Sequence, residues 1–159
     1  MKVADISIPV PPLSPGDSIG TALSLMHSKK IDIAPVIDGD KLVGSVSREE
    51  LLAALRGGAF MTTSIAGRMQ DGPKLSTCDD ISGIPVSSIP ALILDGDGNV
   101  AGVVTLESYS AGLREVLTEF REQVSSLMNS AESGIIAIDV EGKLVIANIH
   151  QPSSDLFKL

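Results

Sequence analysis

The sequence predicts an α/β fold of two small repeated units, followed by a long helix and a β-hairpin. Hydrophobic residues make up 43% of the 159 residues and aromatic residues only 3%. This composition favours aliphatic side chains packed between sheets and helices, as in layered α/β folds. An internal repeat and a heptad pattern are the other two observations that predict this architecture.

The repeat is visible as the motif L-S-x-x-D-x-I, which begins at Leu13 and again at Leu75, 62 positions later. A second shared block begins at Gly44 and again at Gly102, 58 positions later. Because the interval shrinks by four positions, we expect the second copy to lack about one helical turn. The predicted segments are residues 1–58 (repeat 1), 59–112 (a shortened repeat 2), 106–131 (a signalling helix) and 132–159 (a terminal segment).

The first copy predicts the order helix, strand, turn, strand, helix. Asp17 or Ser18 can cap the first helix, and two strands follow at 33–37 and 41–46. Ser47 can cap the second helix, with Glu50 at the third helical position completing a capping box. The consecutive glycines at 57–58 are expected to end that helix.

The second copy keeps this order, but its first segment is poorly suited to form a helix. Gly83 and Pro85 disfavour a helix matching the first one. Strands are expected at 91–94 and 100–104, and Thr105 is expected to cap the helix that follows.

These residues resemble the tandem CBS module, a family named after cystathionine β-synthase. Its signature is an apolar-Pro-Val strand, a turn, and then G-apolar-apolar-[ST]-x-x-D before a helix. The matching segments are 34–36 and 44–50 in the first copy and 102–108 in the second. The resemblance implies an α+β CBS-pair architecture, in which two small sheets with flanking helices pack with pseudo-twofold symmetry and leave two clefts.

The resemblance further implies that the clefts can hold an adenine nucleotide, with AMP, ATP and S-adenosylmethionine as the candidate ligands. The Ser or Thr and the Asp of the signature would meet the ribose hydroxyls. The Asp position holds Glu50 in the first copy and the uncharged Ser108 in the second, so we favour the first cleft. Predicted contacts there are Ser14, Ile33, Ala34, Pro35, Ser47, Arg48 and Glu50; those of the weaker second cleft are Ser76, Thr105 and Ser108.

An alternative without any ligand explains the same residues. Ser47 and Glu50 would be a capping box, Thr105 a helix cap, and Arg48 a solvated charge instead of a phosphate contact. The chain would then be a dimerisation scaffold with inactive clefts.

A heptad seam runs along the predicted helix at 106–131, with spacings of 4, 3, 4, 3 and 4. The seam consists of Leu113, Leu117, Phe120, Val124, Leu127 and Ala131. An isolated helix of this kind is marginal in water, so we expect a coiled coil in a homodimer. The alternative is a helix that lies against its own domain.

The last part of the sequence predicts strands at 134–139 and 143–148 around a turn. With Asp139, Gly142 and Asn148 it resembles the start of a PAS sensor domain, and Leu156 and Phe157 resemble the short helix that follows. So short a segment is not expected to fold alone, and we expect a longer parent protein.

The order of these parts resembles the amino-terminal sensory half of bacterial enhancer-binding transcription regulators that act with sigma-N. Histidine kinases and cyclic-dinucleotide enzymes, which can carry similar input halves, are the alternatives.

Several function classes are disfavoured by composition. The net charge of −8 argues against binding to nucleic acid or to anionic membranes. The single cysteine, Cys78, permits neither an internal disulfide nor a cysteine zinc site. The two histidines, His27 and His150, lie far apart, and 95–99 fits a hairpin turn better than a calcium loop. We therefore expect a non-catalytic, metal-free cytoplasmic module.

Overall fold

The computed structural model describes residues 1–130 and 135–148, which fall in two compact units, Met1–Arg114 and Glu115–Leu159. The α-helices are α1 (Ile19–Lys29), α2 (Arg48–Arg56) and α3 (Leu106–Ser130). The strands are β1 (Ile33–Asp38), β2 (Lys41–Ser47), β3 (Lys74–Ser76), β4 (Ala91–Leu94), β5 (Val100–Val104), β6 (Ile135–Ile138) and β7 (Leu144–Asn148). Single 3-10 turns occur at Val3–Ile6, Ile65–Arg68, Ile81–Gly83 and Val86–Ser88.

The mixed α/β class with two small sheets, flanking helices and a long final helix is confirmed. Within the described residues, no helix has both the length and the apolar character that a membrane crossing requires.

The first repeat has the predicted order of elements. Ser18 caps α1 by accepting a hydrogen bond from the Thr21 N–H at 3.1 Å. Strands β1 and β2 form an antiparallel hairpin. Ser47 then caps α2 by accepting from the Glu50 N–H at 3.2 Å, which is the Ser47 half of the predicted capping box. The helix ends at Gly57 as expected.

The second repeat contains the three-stranded sheet β3-β4-β5, in which β3 is parallel to β4 and β4 antiparallel to β5. The second repeat has two short 3-10 turns at 81–83 and 86–88 where the first repeat has α1, so the prediction that this helix is absent is confirmed. Leu13 bridges Val36, and Leu75 pairs with Ile93 in the same way. The offset between matching residues of the two repeats is therefore 62 at Leu13 and Leu75 but 57 at Val36 and Ile93, so the second repeat has five residues fewer before its hairpin. The offset of 58 at Gly44 and Gly102 shows that its hairpin has one residue more.

Each repeat sends its lead-in segment across to the other repeat. The Val3 N–H donates to the Asp79 carbonyl at 3.0 Å, and the Ile65 N–H donates to the Asp17 carbonyl at 2.9 Å. Val3 and Ile65 are both completely buried. Since the same contact is made in both directions, the repeats are related by a pseudo-twofold exchange.

The exchanged segments also pair with the second strand of each hairpin. Ile8 and Val103 exchange backbone hydrogen bonds of 2.9 and 3.0 Å, and Ser45 and Gln70 exchange bonds of 2.9 and 2.8 Å. Residues of both repeats belong to one buried hydrophobic cluster, so the two repeats share part of their core. Its members include Ile19, Met26, Val36, Leu51, Ile65, Leu92 and Val103.

The predicted long helix is present as the single helix α3, and Ala131 of the predicted seam lies outside the described residues. Three seam residues are exposed, Leu117 at 59%, Phe120 at 61% and Leu127 at 70%. The predicted terminal hairpin is present as β6 and β7. Leu156 and Phe157, like the rest of 149–159, lie outside the described residues, as do 131–134.

Candidate functional site

The first cleft is a cavity of about 560 Å³, a size typical of small-molecule sites. It lies between α2 with the β1-β2 hairpin and a loop region of the second repeat. From the first repeat it is lined by Asp32, Ile33, Ser45, Ser47, Arg48, Glu49, Leu52 and Arg56. From the second repeat it is lined by Gln70, Gly72, Pro73, Ser87, Ile89 and Pro90.

One face of α2 forms a wall of this cavity. Glu49, Leu52 and Arg56 line the cavity, and their spacings of three and four positions place them on one side of the helix. Leu51, by contrast, is fully buried in the core. The capping of α2 by Ser47 fixes where the helix starts, and therefore which residues face the cavity.

Arg48 is held by backbone carbonyls at the end of α1. Its Nη2 donates to the Ile31 carbonyl at 2.7 Å and to the Met26 carbonyl at 3.2 Å. Its Nε lies 3.0 Å from Asp32 Oδ1. The Met26 carbonyl lies in the last turn of α1, where a cation is favourable. Arg48 is therefore not simply a solvated charge, because its hydrogen bonds join the start of α2 to the end of α1.

Two of the hydroxyl groups that line the cavity, those of Ser45 and Ser47, have different roles. Ser45 is 3% exposed and donates from its Oγ to the Gln70 carbonyl at 3.3 Å. Ser47 Oγ accepts the cap hydrogen bond from Glu50, so its own hydroxyl hydrogen remains able to donate. At Gly72 a Cβ would lie 2.6 Å from Ser45 Oγ, so a side chain there would press into this wall.

The rest of the lining combines apolar side chains with the polar Gln70 and Ser87 and the charged Glu49 and Arg56. The buried Ile33, the exposed Leu52 and the loop residues Ile89 and Pro90 provide apolar surface suited to a flat ring. Arg56 makes no ion pair with any described residue. The cavity therefore combines an apolar slot, a donor hydroxyl and an available guanidinium.

The second cleft is smaller, about 340 Å³, and is lined by Ile8, Lys29, Lys30, Thr105, Glu107, Ser108 and Ala111. Its wall is the first turn of α3, where the first cleft uses α2. The Thr105 N–H donates to Ser108 Oγ, and the Ser108 N–H donates to Thr105 Oγ1, both at 3.1 Å. Ser108 Oγ also approaches the Thr105 carbonyl at 3.2 Å. Thr105 and Ser108, two of the three residues that the sequence assigns to this cleft, therefore form a reciprocal cap of α3.

The structure brings together some of the predicted site residues. Ile33, Ser47 and Arg48 line the first cleft, and Thr105 and Ser108 line the second. The predicted contacts that line neither cavity are Ser14, Ala34, Pro35, Glu50 and Ser76.

The residues outside the clefts have structural roles. The Ser14 N–H donates to Asp17 Oδ2 and the Ser76 N–H to Asp79 Oδ2, both at 2.8 Å, which explains why the L-S-x-x-D motif recurs. The Pro35 carbonyl accepts from the Leu13 N–H.

Sequence reasoning missed the contributions of Glu49, Leu52, Arg56, Gln70 and the loop at 87–90. The α2 residues could have been found by extending the helical period from Arg48, since Leu52 and Arg56 follow it at steps of four. The others come from the second repeat, and no local pattern points to them.

A fold of two interlocked α/β repeats with a cleft beside the cap of each second helix defines a tandem-repeat module of a regular kind. Residues 3–57 match the family model of the CBS domain. The chain therefore contains a CBS domain, and the match covers its first repeat.

Solved structures with a similar fold are CBS proteins and related chains. A putative acetoin utilization protein (AcuB) from Vibrio cholerae is 24% identical with a TM-score of 0.60, covering 77% of this chain and 96% of that one. CBSX2 in complex with AMP is 23% identical with a TM-score of 0.58, covering 72% and 97%. It is a CBS-pair protein of Arabidopsis thaliana. CbpB in complex with c-di-AMP is 18% identical with a TM-score of 0.56, covering 77% and 91%.

These similarities establish that the fold is that of CBS-pair structures. A search of the curated proteins gave no match.

Proposed function

We propose that this chain is a non-catalytic regulatory module that binds an adenine nucleotide in its first cleft. The observation that carries the proposal is the composition of that cavity. Its apolar slot suits a base, the Ser47 hydroxyl can donate to a ribose oxygen, and Arg56 is available for a phosphate.

Two structures of similar fold support the choice of ligand. CBSX2 is solved with AMP and CbpB with c-di-AMP, and both ligands combine adenine, ribose and phosphate. AMP is therefore the first ligand to test, followed by c-di-AMP, ATP and S-adenosylmethionine.

The second cleft is the weaker candidate because it is smaller, about 340 Å³ against 560 Å³, and because Thr105 is only 4% exposed. Ser108 Oγ accepts from the Thr105 N–H and donates to the Thr105 carbonyl, so its hydroxyl is used within the cap of α3. We therefore propose one nucleotide per chain.

Isothermal titration calorimetry with AMP tests this proposal. Leu52→Glu places a carboxylate in the first cleft and Ala111→Glu places one in the second, both at exposed helical positions that tolerate the change. We expect wild type and Ala111→Glu to bind AMP alike, with a stoichiometry near one, and Leu52→Glu to lose binding. Loss of binding in Ala111→Glu alone would place the nucleotide in the other cleft. No binding of any candidate ligand to wild type would leave a dimerisation scaffold.

We further propose that α3 pairs with α3 of a second chain and relays the state of the repeats. Its predicted seam carries three exposed apolar residues, Leu117, Phe120 and Leu127, and exposed apolar seams favour association. Light scattering on Leu117→Asp with Phe120→Asp tests this, since two buried charges would disrupt the pair. Ser125→Asp with Ser126→Asp adds the same charge off the seam and should remain dimeric. A dimeric seam variant would contradict pairing through α3.

The biological context is also a proposal. We propose that the segments divide as 1–58, 59–112, 106–131 and 132–159, and that the β6-β7 hairpin is the start of a PAS domain. Asp139 supports this hairpin, since its Oδ1 accepts the Lys143 N–H at 2.7 Å across the turn. Such an arrangement suits the input half of a transcription regulator. Full-length sequencing of the gene tests this, and a kinase or cyclic-dinucleotide output domain would redirect the assignment.

A further inference from the structure

We propose that Glu49, and not Glu50, is the carboxylate that recognises the ribose hydroxyls in the first cleft. The inference rests on the proposed function, because it needs a nucleotide in that cleft. In the sequence, Glu50 occupies the aspartate position of the CBS signature. The geometry of α2 points to its neighbour.

Only two carboxylates, Asp32 and Glu49, are among the described residues that line the cavity. Asp32 is engaged with Arg48, whose Nε lies 3.0 Å from Asp32 Oδ1. The Glu49 side chain is exposed and makes no hydrogen bond or ion pair with any described residue. Glu49 is therefore the lining carboxylate that is available to a ligand.

Helical geometry explains why adjacent glutamates differ. Consecutive residues of an α-helix are rotated by about 100° around its axis. Glu49 shares the cavity-facing side of α2 with Leu52 and Arg56, while Glu50 lies on another side and is half-buried. The backbone N–H of Glu50 is bonded to Ser47 Oγ, which fixes this rotation at the first turn.

The same face has the dimensions that a nucleotide needs. Glu49 and Arg56 are seven residues apart, which corresponds to about 10.5 Å along the helix axis. Their side chains can close this gap from both ends, so that the carboxylate meets a ribose diol while the guanidinium meets the phosphate. A carboxylate accepts hydrogen bonds from two hydroxyls at once, and bonds of this charge-assisted kind are the stronger ones. The carboxylate function has thus moved one residue towards the helix start.

Comparing AMP with 2′-deoxy-AMP tests the inference, because only AMP has the complete diol. We expect wild type to prefer AMP by about tenfold or more, the usual worth of a hydrogen bond to a charged group. Glu49→Gln should abolish most of this preference by weakening AMP alone. The matched control Glu50→Gln should keep the preference, and thermal melts of both variants check that they fold.

The outcomes separate the inference from the proposed function. If wild type binds AMP but loses the preference in Glu50→Gln, or keeps it in Glu49→Gln, the inference is overturned and nucleotide binding stands. Equal binding of the two ligands by wild type also overturns the inference alone. If wild type binds neither ligand, the proposed function fails, and the role of Glu49 fails with it.

Discussion

The substitution Gly102→Ala tests whether the exchanged segments hold the two repeats together. Gly102 lies on β5, where the lead-in segment of the first repeat crosses it. A Cβ at this position would collide with Ser7 Oγ and lie 2.7 Å from the Ile8 carbonyl oxygen. The serine side chain can rotate away, but the Ile8 backbone cannot move without disturbing its pairing.

The expected cost follows from that pairing. Ile8 and Val103 exchange backbone hydrogen bonds of 2.9 and 3.0 Å. Overpacking costs about 1–3 kcal/mol, and each weakened hydrogen bond adds about 0.5–1.5 kcal/mol. We therefore expect Gly102→Ala to lower the free energy of unfolding by about 2–6 kcal/mol.

The counterpart Gly44 provides a graded comparison. A Cβ there would lie 3.1 Å from the Gln70 carbonyl oxygen and 3.3 Å from Met69 Cβ, which small adjustments can relieve. Gly44→Ala should therefore cost about 1 kcal/mol or less. A Cβ at Gly96 would meet nothing within 4 Å, so Gly96→Ala serves as the control, with an expected change within about 0.5 kcal/mol.

Urea unfolding of the three variants, with a shared m-value, measures these differences. If Gly102→Ala were as stable as Gly96→Ala, the segment at Ser7 and Ile8 would not be packed as the structure has it, and the interlocking of the repeats would be refuted.

Two further predictions concern local interactions. Arg48→Ala removes the hydrogen bonds to the Met26 and Ile31 carbonyls and should cost about 1–2 kcal/mol, allowing for a side chain that is one-third exposed. Arg56→Ala is the matched control. If both variants lost the same stability in urea unfolding, the proposed role of the Arg48 hydrogen bonds would be contradicted. In the β4-β5 turn, the Asn99 backbone N–H bonded to the Asp95 carboxylate lowers the pKa of Asp95 below its usual 3.8. This bond stabilises the fold above the ordinary pKa, and its contribution is lost as the pH falls through the lowered value. An NMR titration should place the Asp95 midpoint below 3.8 and show it rising in Asn99→Ala, which removes the side-chain contact; a wild-type midpoint at or above 3.8 would contradict the turn geometry.

The elements that the sequence predicts well are those set by local chemistry. Ser18 and Ser47 cap their helices because a side-chain oxygen satisfies a nearby N–H, and this requires only neighbouring residues. Gly83 and Pro85 disfavour a helix for equally local reasons. The long heptad pattern likewise predicts α3 almost to its ends.

The features that the sequence did not reveal depend on distant residues. Gly112 interrupts the pattern of α3 for no local reason, yet a Cβ there would lie 2.6 Å from Ile81 Cδ1 and 2.7 Å from Ile6 Cγ2. The exchange of lead-in segments is invisible for the same reason, since it joins residues 25 or more positions apart. The role of Arg48 depends on the carbonyls of Met26 and Ile31, which are 22 and 17 positions away.

The residues of the candidate site also divide into those that the local sequence predicts and those that depend on distant contacts. Ile33 and Ser47 could be assigned from the repeat and the signature, because they lie on or beside the hairpin strands. Ile89 and Pro90 belong to the loop that replaces a helix in the second repeat, and only the folded arrangement brings them to the first cleft.

A crystal structure of the chain grown with AMP tests nucleotide binding in the first cleft most directly. We expect one AMP per chain, between α2 and the loop at 87–90, with its ribose near Ser47 and Glu49 and its phosphate near Arg56. AMP bound instead beside Thr105 and Lys30, or a first cleft that stays empty at saturating AMP, would contradict this assignment.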